Sequence, residues 1–317
     1  MVVALKRKVK NSTFDSVKMD IKHLKHTDIS KKDWDKTILN SKYGTVYAMS
    51  LYLDIVSQGW EALVNEDYSI LMPLPVKTKY GFKYLTQPFY SQQLGVFSKN
   101  EIDELVFNQF MKSISYKFYR LQLNRANCFS FTKEVLKPNY VLELNKSYEV
   151  IQSKYGQNCK RNLKKSVKEK QKPGDNISPD VFLNFVETNL VFKPIKGVMP
   201  VLKSIIRESF KNGSGKIISV VDDTSDEILA AVFLLSWKNR FYYLMPASSE
   251  KGKIFNSMFF LVDQFIQQYA ASDKIIDFEG SSIEGVARFY KGFGAQAEYY
   301  PVLNQNNLVF PFNKIIK

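Results

Sequence analysis

A carboxylate at Glu279 and a phenol at Tyr290 fall within one short stretch, Asp277 to Gly294, which reads as a strand end, a glycine turn at Gly280 and an aromatic helix closed by glycine. A carboxyl group at a strand end, partly withdrawn from water, has its pKa raised toward that of a general base, and a phenol on the adjoining helix can donate a proton to a leaving group. Each residue also has a plainer reading. Glu279 can cap the helix or pair with Arg288 or Lys291, which would oppose the shift and which are themselves candidates to bind a substrate or anionic partner, and Tyr290 shares one helical face with Val286, Phe289 and Phe293 as packing. Asp277 alternates with Phe278 and so faces the other side of the sheet from it.

A second group lies in Ala247-Ser248-Ser249-Glu250-Lys251-Gly252-Lys253-Ile254, between a strand and a helix. Ser248, Ser249, Lys251, Gly252 and Lys253 at a helix N-terminus can hold phosphate through free N–H groups, the helix dipole and ammonium charge. A pyrophosphate-bearing donor would suit them. The loop matches neither the Walker pattern nor the dinucleotide fingerprint, and Ser249 also reads as a simple helix cap.

A third group is basic. Lys154 to Lys172 holds eight Lys/Arg, among them Lys160, Arg161, Lys164 and Lys165, against one acid, Glu169. Cys159, Leu163 and Val167 recur every four positions, so the spacing predicts a helix over 154–172 with one buried stripe and a basic outer face, ended by Pro173-Gly174. Such a face is either solvated surface or a seat for an anionic partner such as RNA, a phosphorylated carrier or a membrane-surface substrate.

The elements that must position these groups recur in two halves. In the first, a helix near 46–56 precedes strands at 60–64 and 68–76, a short strand at 82–86, a polar loop over 87–98, a helix at about 101–114 and a strand at 118–123. In the second, helices near 180–190 and 201–211 precede strands at 217–221, 228–237 and 241–245, a polar loop over 246–253, a helix at 254–271 and a strand at 274–278. Phe255, Phe259, Val262, Ile266 and Tyr269 form the core face of that last helix. Pro138 and the basic run place a boundary near 145, giving units of 1–145 and 146–317.

Composition bounds the chemistry. The chain has 317 residues, 45% hydrophobic, and a net charge of +14, half of it in the basic run. Two cysteines, Cys128 and Cys159, and two histidines, His23 and His26, supply neither a zinc ligand set nor a Cys/His nucleophile pair. No apolar run is long enough to span a membrane, and Met1 to Lys10 lacks the apolar region of a signal peptide. A cytoplasmic protein without a metal is the expectation.

Several of these residues carry a family resemblance. Ala247-Ser248-Ser249, Asp277-Phe278 with Gly280, the Phe-x-x-x-Phe-Gly pattern at Phe289, Phe293 and Gly294, and Arg161-Asn162-Leu163-Lys164-Lys165 together resemble the GNAT superfamily of N-acetyltransferases, and within it the FemAB branch. The first half is similar only in element order. The resemblance implies an α/β fold of two tandem GNAT-like domains, each with a mixed, mostly antiparallel sheet flanked by helices. It implies an acyltransferase that takes an acyl thioester, acyl-CoA or an acyl carrier, as co-substrate and passes the acyl group to an amine or hydroxyl of a small-molecule or cell-wall-type acceptor. Tyr290 stands where FemAB enzymes that use aminoacyl-tRNA tend to have Lys, and GNAT enzymes often place a general-acid tyrosine in this helix, which favours a thioester. Against that, 247–253 lacks the Gln/Arg-x-x-Gly-x-Gly/Ala pattern for the coenzyme A pyrophosphate. Two alternatives stay open: an aminoacyl-tRNA-dependent transferase using the basic helix, and a binding protein without catalysis.

Overall fold

Alternating and continuous apolar runs build two sheets in the computed structural model, which describes residues 19–129, 135–175, 177–190, 197–280 and 283–308. Met1 to Lys10 and the turn residues Ser281 and Ser282 lie outside these. The first half contributes β1 (Ile21–Leu24), α1 (Lys31–Asn40), α2 (Ser50–Val56), β2 (Glu61–Asn65), β3 (Ile70–Leu74), β4 (Val76–Lys79), β5 (Phe82–Thr86), β6 (Phe97–Ser98), α3 (Glu104–Lys112) and β7 (Phe118–Gln122). Then follow β8 (Leu136–Glu143), α4 (Tyr148–Ser153), α5 (Gln157–Ser166), β9 (Gln171–Pro173), α6 (Pro179–Asn189), α7 (Val198–Lys211), β10 (Gly215–Asp222), β11 (Ile228–Trp237) and β12 (Arg240–Ser248). The chain continues through α8 (Glu250–Ile254), α9 (Ser257–Tyr269), β13 (Ile275–Asp277), α10 (Glu284–Gly292) and β14 (Gln296–Asn306).

One sheet has the order β1-β2-β3-β6, and the other runs β4-β5-β7-β14-β8-β13-β12-β11-β10-β9. Pairing is mostly antiparallel, with parallel neighbours at β12–β13 and β5–β7. The expected mixed sheet flanked by helices is thus present, and strands of both halves join into the larger sheet. Its hinge strand is β14, which pairs with β8 through Gln296–Pro301 and with β7 through Val302–Asn306. Strand β8, which precedes residue 145, pairs with β13 and β14 of the second half.

Three apolar clusters fill the layers. One joins the halves: Trp34, Tyr47 and Trp60 pack with Phe182, Ile206 and Phe233 from the far side of the sequence, and the Trp34 indole donates to the Ala48 carbonyl at 2.8 Å. A second lies on the other face of the long sheet, under α5, α9 and α10, and contains Phe265, Ile266, Phe278, Tyr290 and Phe293. The third packs α3 on the first-half strands through Leu63, Met72, Phe107 and Phe110. Burying each such side chain contributes roughly 1.5–3 kcal/mol relative to exposure, enough to fix the helices that carry the candidate site.

Two elements differ from the sequence reading. The basic helix ends at Ser166, whose hydroxyl bonds back to the Leu163 carbonyl, and Gln171–Pro173 is instead an edge strand on β10. Cys159 and Leu163 are buried as expected, but Val167 lies past the helix end and is exposed. The loop expected over 246–253 is the end of β12 followed by the short α8, because β11 supplies ladder partners as far as Ser248.

Candidate functional site

Strands β12 and β13 run side by side only over Arg240–Tyr242 and Ile275–Asp277. Beyond that point both turn away, for local reasons. In β12, Leu244 is an extra residue against β11, a bulge that bends and twists its strand. Just past β13, Glu279 takes a left-handed backbone (φ 58°). Gly280 follows where a Cβ would lie 2.4 Å from the Pro138 carbonyl oxygen and 3.0 Å from Gln92 Nε2, so only glycine lets the chain turn there. A gap opens between the strands.

Cavities flank this gap. On one face a cavity of about 620 Å³ lies between the end of β12, α8, α9 and α10, with walls of Tyr243, Ala247, Met258, Phe259, Phe289 and Tyr290. On the other, a cavity of about 390 Å³ is lined by Ser91, Gln92, Lys137, Leu244, Glu279 and Tyr300. Tyr243 and Leu244, consecutive on the bulged strand, therefore face different cavities, and so do Tyr290 and Glu279.

Glu279 is held by three hydrogen bonds. The Tyr47 hydroxyl, from the first half, donates to its carboxylate. Its own N–H donates to Asp277 at 2.9 Å, and its carbonyl accepts from Tyr140 N–H at 3.2 Å. Asp277 is in turn clamped by Arg240 at 2.6 Å. Loss of water around the Glu279 carboxyl pushes its pKa up to about 8; the Asp277 charge adds to the rise and the Tyr47 hydrogen bond opposes it. Asp277 and Glu279 share the face toward the first half, and Phe278 points into the opposite core, as alternation requires.

Tyr290 is 7% exposed. Its ring stacks on Phe278 with centroids 4.8 Å apart and meets Tyr243 edge-on at 5.9 Å. Burial, then the Glu279 charge, raises its pKa, so the phenol stays protonated at neutral pH. The hydroxyl has no hydrogen-bond partner among the described residues, a position from which it can serve a ligand in the larger cavity.

Of the residues from 248 to 253, Ser248, Gly252 and Lys253 line the same cavity, and several of the stretch are committed elsewhere. Ser249 caps α8, its hydroxyl accepting from Gly252 N–H at 3.1 Å. Gly252 sits tight on β11, where a Cβ would fall 1.9 Å from the Leu229 carbonyl oxygen. Lys251 bonds Asp222 at 2.6 Å, which holds the aspartate well below the usual carboxylate range. Lys253 pairs with exposed Glu250 at 2.5 Å. Ser248 and Gly252 line the cavity directly.

No protein-family model and no curated protein matches the sequence. Solved structures do. One titled as FemX aligns over 94% of this chain and 100% of its own at a TM-score of 0.62 and 10% identity. The chain has a FemX-like fold. A protein of unknown function from Bacteroides thetaiotaomicron aligns over 91% and 100% at 0.54 and 11% identity. A tandem GNAT protein from the clavulanic acid pathway aligns over 89% and 97% at 0.48 and 8% identity. The resemblance of the sequence to the FemAB branch thus holds at the level of fold, on the FemX structure.

Within this FemX-like fold the remaining candidate residues are peripheral. Arg288 pairs with Glu284 one turn away at 2.9 Å, and Lys291 lies 5.5 Å from the centre of the Tyr140 ring. Neither engages Glu279. On α5, Lys160 bonds the Ser153 carbonyl at 3.0 Å and Arg161 bonds Asn158 at 2.7 Å, while Lys164 and Lys165 are exposed. Among the described residues no cluster of His, Cys, Asp and Glu is placed to hold a metal, and no helix is long and apolar enough to cross a membrane. Sequence reasoning missed Tyr47, Ser91, Gln92, Lys137 and Tyr300. All reach the Glu279 side from distant segments, and only the glycine at 280 hinted that another chain segment comes close.

Proposed function

We propose that this protein is an acyltransferase that brings an activated acyl donor and a nucleophilic acceptor to opposite sides of the β12–β13 gap. The observation that carries the reading is the gap itself, with a buried phenol that has no partner among the described residues on one side and a carboxyl poised near pKa 8 on the other.

The larger cavity suits the donor. Its volume is in the range of small-molecule sites, and its apolar walls match an acyl group on a flexible arm better than a free anion. An acyl thioester, acyl-CoA or an acyl carrier, is the donor we favour, with Ser248, Gly252 and Lys253 at the rim and Ser249 and Lys251 fixing it. Holding both reactants at the gap supplies most of the acceleration. From the opposite side Glu279 takes the proton of the acceptor amine or hydroxyl as it attacks the acyl carbon. The carbonyl electrons move to oxygen, then return as the C–S bond breaks, and Tyr290 protonates the departing thiolate. Acid–base help of this kind is worth a further factor of about 10² to 10⁴. The units 1–145 and 146–317 fit this division: the first supplies Tyr47, Ser91, Gln92 and Lys137, the second the donor cavity.

An aminoacyl-tRNA donor is the second reading. It is favoured by the exposed Lys160, Arg161, Lys164 and Lys165 on α5, which packs against α9 and α10 beside the larger cavity. Steady-state assays with acetyl-CoA and a longer acyl-CoA, against charged tRNA at two salt concentrations, separate these. Transfer from a thioester supports the first. Transfer only from tRNA, weakened by salt and by charge reversal on α5, supports the second. A protein that binds neither is not a transferase.

A further inference from the structure

The chemistry of the acceptor can be read from the smaller cavity. The inference rests on the reading above, in which that cavity is the acceptor side. Two of its features point to a ligand with a negative group. Ser91 is 6% exposed and lines the cavity, and its buried hydroxyl has no hydrogen-bond partner among the described residues. Behind the lining residue Gln92, from which it accepts, Asn139 is 1% exposed and keeps a buried side-chain N–H₂ without a partner among the described residues. Unmet buried donors destabilise the empty site, and an acceptor-rich ligand relieves that cost.

Lys137 is the third feature. It is half-buried, lines the same cavity and makes no ion pair among the described residues. It lies on β8 three residues before Tyr140, whose N–H bonds the Glu279 carbonyl. Lys137 and Glu279 line one cavity, so a ligand there can set an amino group against Glu279 and a carboxylate against Lys137. The wall between carries the amide of Gln92 and the hydroxyl of Tyr300, both suited to a polar backbone.

We propose that the smaller cavity takes an α-amino acid as acceptor: Lys137 and Ser91 receive the carboxylate, and Glu279 receives the amine that is to be acylated. A plain amine would leave Lys137 and the Ser91 hydroxyl unsatisfied, so the site discriminates by what it leaves unpaired.

Donor-free titration tests this, because it does not depend on the identity of the donor. L-lysine against cadaverine, and L-alanine against ethylamine, are titrated into the full chain and into Lys137→Met. The carboxylate should improve affinity roughly ten- to a hundredfold, the range of one charge-assisted contact. Lys137→Met should abolish the difference while leaving plain amines within about twofold, at an unchanged melting temperature. Ser91→Ala, which removes one donor without a charge, should reduce the preference only in part. Equal affinity within each pair, or no binding of either amino acid, overturns the proposal. Discrimination without any acyl transfer from acetyl-CoA or charged tRNA would instead sink the acyltransferase reading and leave an amino acid site.

Discussion

Glu279 carries opposite pH dependences in activity and in stability. A base works ionised, so turnover should rise with pH and level off above about 8, where burial has placed its pKa. The folded chain holds that proton more tightly than the unfolded chain, in which a glutamate titrates near 4.3. The stability this group contributes is therefore complete below that pH and is lost as pH rises toward 8. Glu279→Gln should cost turnover at every pH yet melt higher relative to the parent at pH 9 than at pH 5; parallel melting curves across that range would show that the carboxyl is not held protonated. Tyr290→Phe keeps the stacking on Phe278 and removes only the hydroxyl. We expect turnover to fall by about 10² or more with donor affinity nearly unchanged, measured by steady-state kinetics beside titration, and equal turnover would remove Tyr290 from the reaction.

At the scale of elements, the site depends on how two strands end and on how the first half is tied. Gly280→Ala would drive a methyl into the Pro138 carbonyl; at φ values open to alanine or not, the clash costs about 1–3 kcal/mol, visible in chemical denaturation, and should also lower turnover by shifting Glu279. Glu61 ties β1, β2 and β5, accepting from His23 at 2.6 Å, Lys25 at 3.0 Å and Lys83 at 3.3 Å, and from Tyr116. Burial alone would raise its pKa, but these partners overcome it and hold the carboxyl at about 2. Its stabilisation is present above the unfolded glutamate pKa and is lost as pH falls toward 2. Glu61→Gln should destabilise by about 1–3 kcal/mol at pH 7 and by progressively less below pH 4; a deficit independent of pH would mean that charge is not involved. Long apolar strands such as β11 and the periodic face of α9 were legible in sequence because burial alone dictates them. The end of α5 was not: Val167 continues the four-residue spacing but is the capping residue, with its side chain exposed. The pair Glu279 and Tyr290 was legible because one segment carries both. Their separation onto two faces, and the Tyr47 and Lys137 side of the site, depend on long-range contacts that no local pattern encodes.

Across the whole molecule the halves are bound twice, by β14 bridging β7 and β8 and by the cluster that mixes Trp34 and Trp60 with Phe182 and Phe233. Calorimetry should show a single cooperative transition, and a chain ending before Gln296 should not fold; two separable transitions would mean that the shared sheet contributes little. This coupling matters for function, since Tyr47 of the first half holds the Glu279 of the second. The central claim is that an acyl donor enters the larger cavity, and its most direct measurement is calorimetric titration of acetyl-CoA and a longer acyl-CoA into the protein and into Val286→Trp, which fills that cavity from α10. We expect micromolar binding that is lost in the variant at an unchanged melting temperature; binding that survives Val286→Trp, or no binding of either thioester, would contradict a thioester donor at this site.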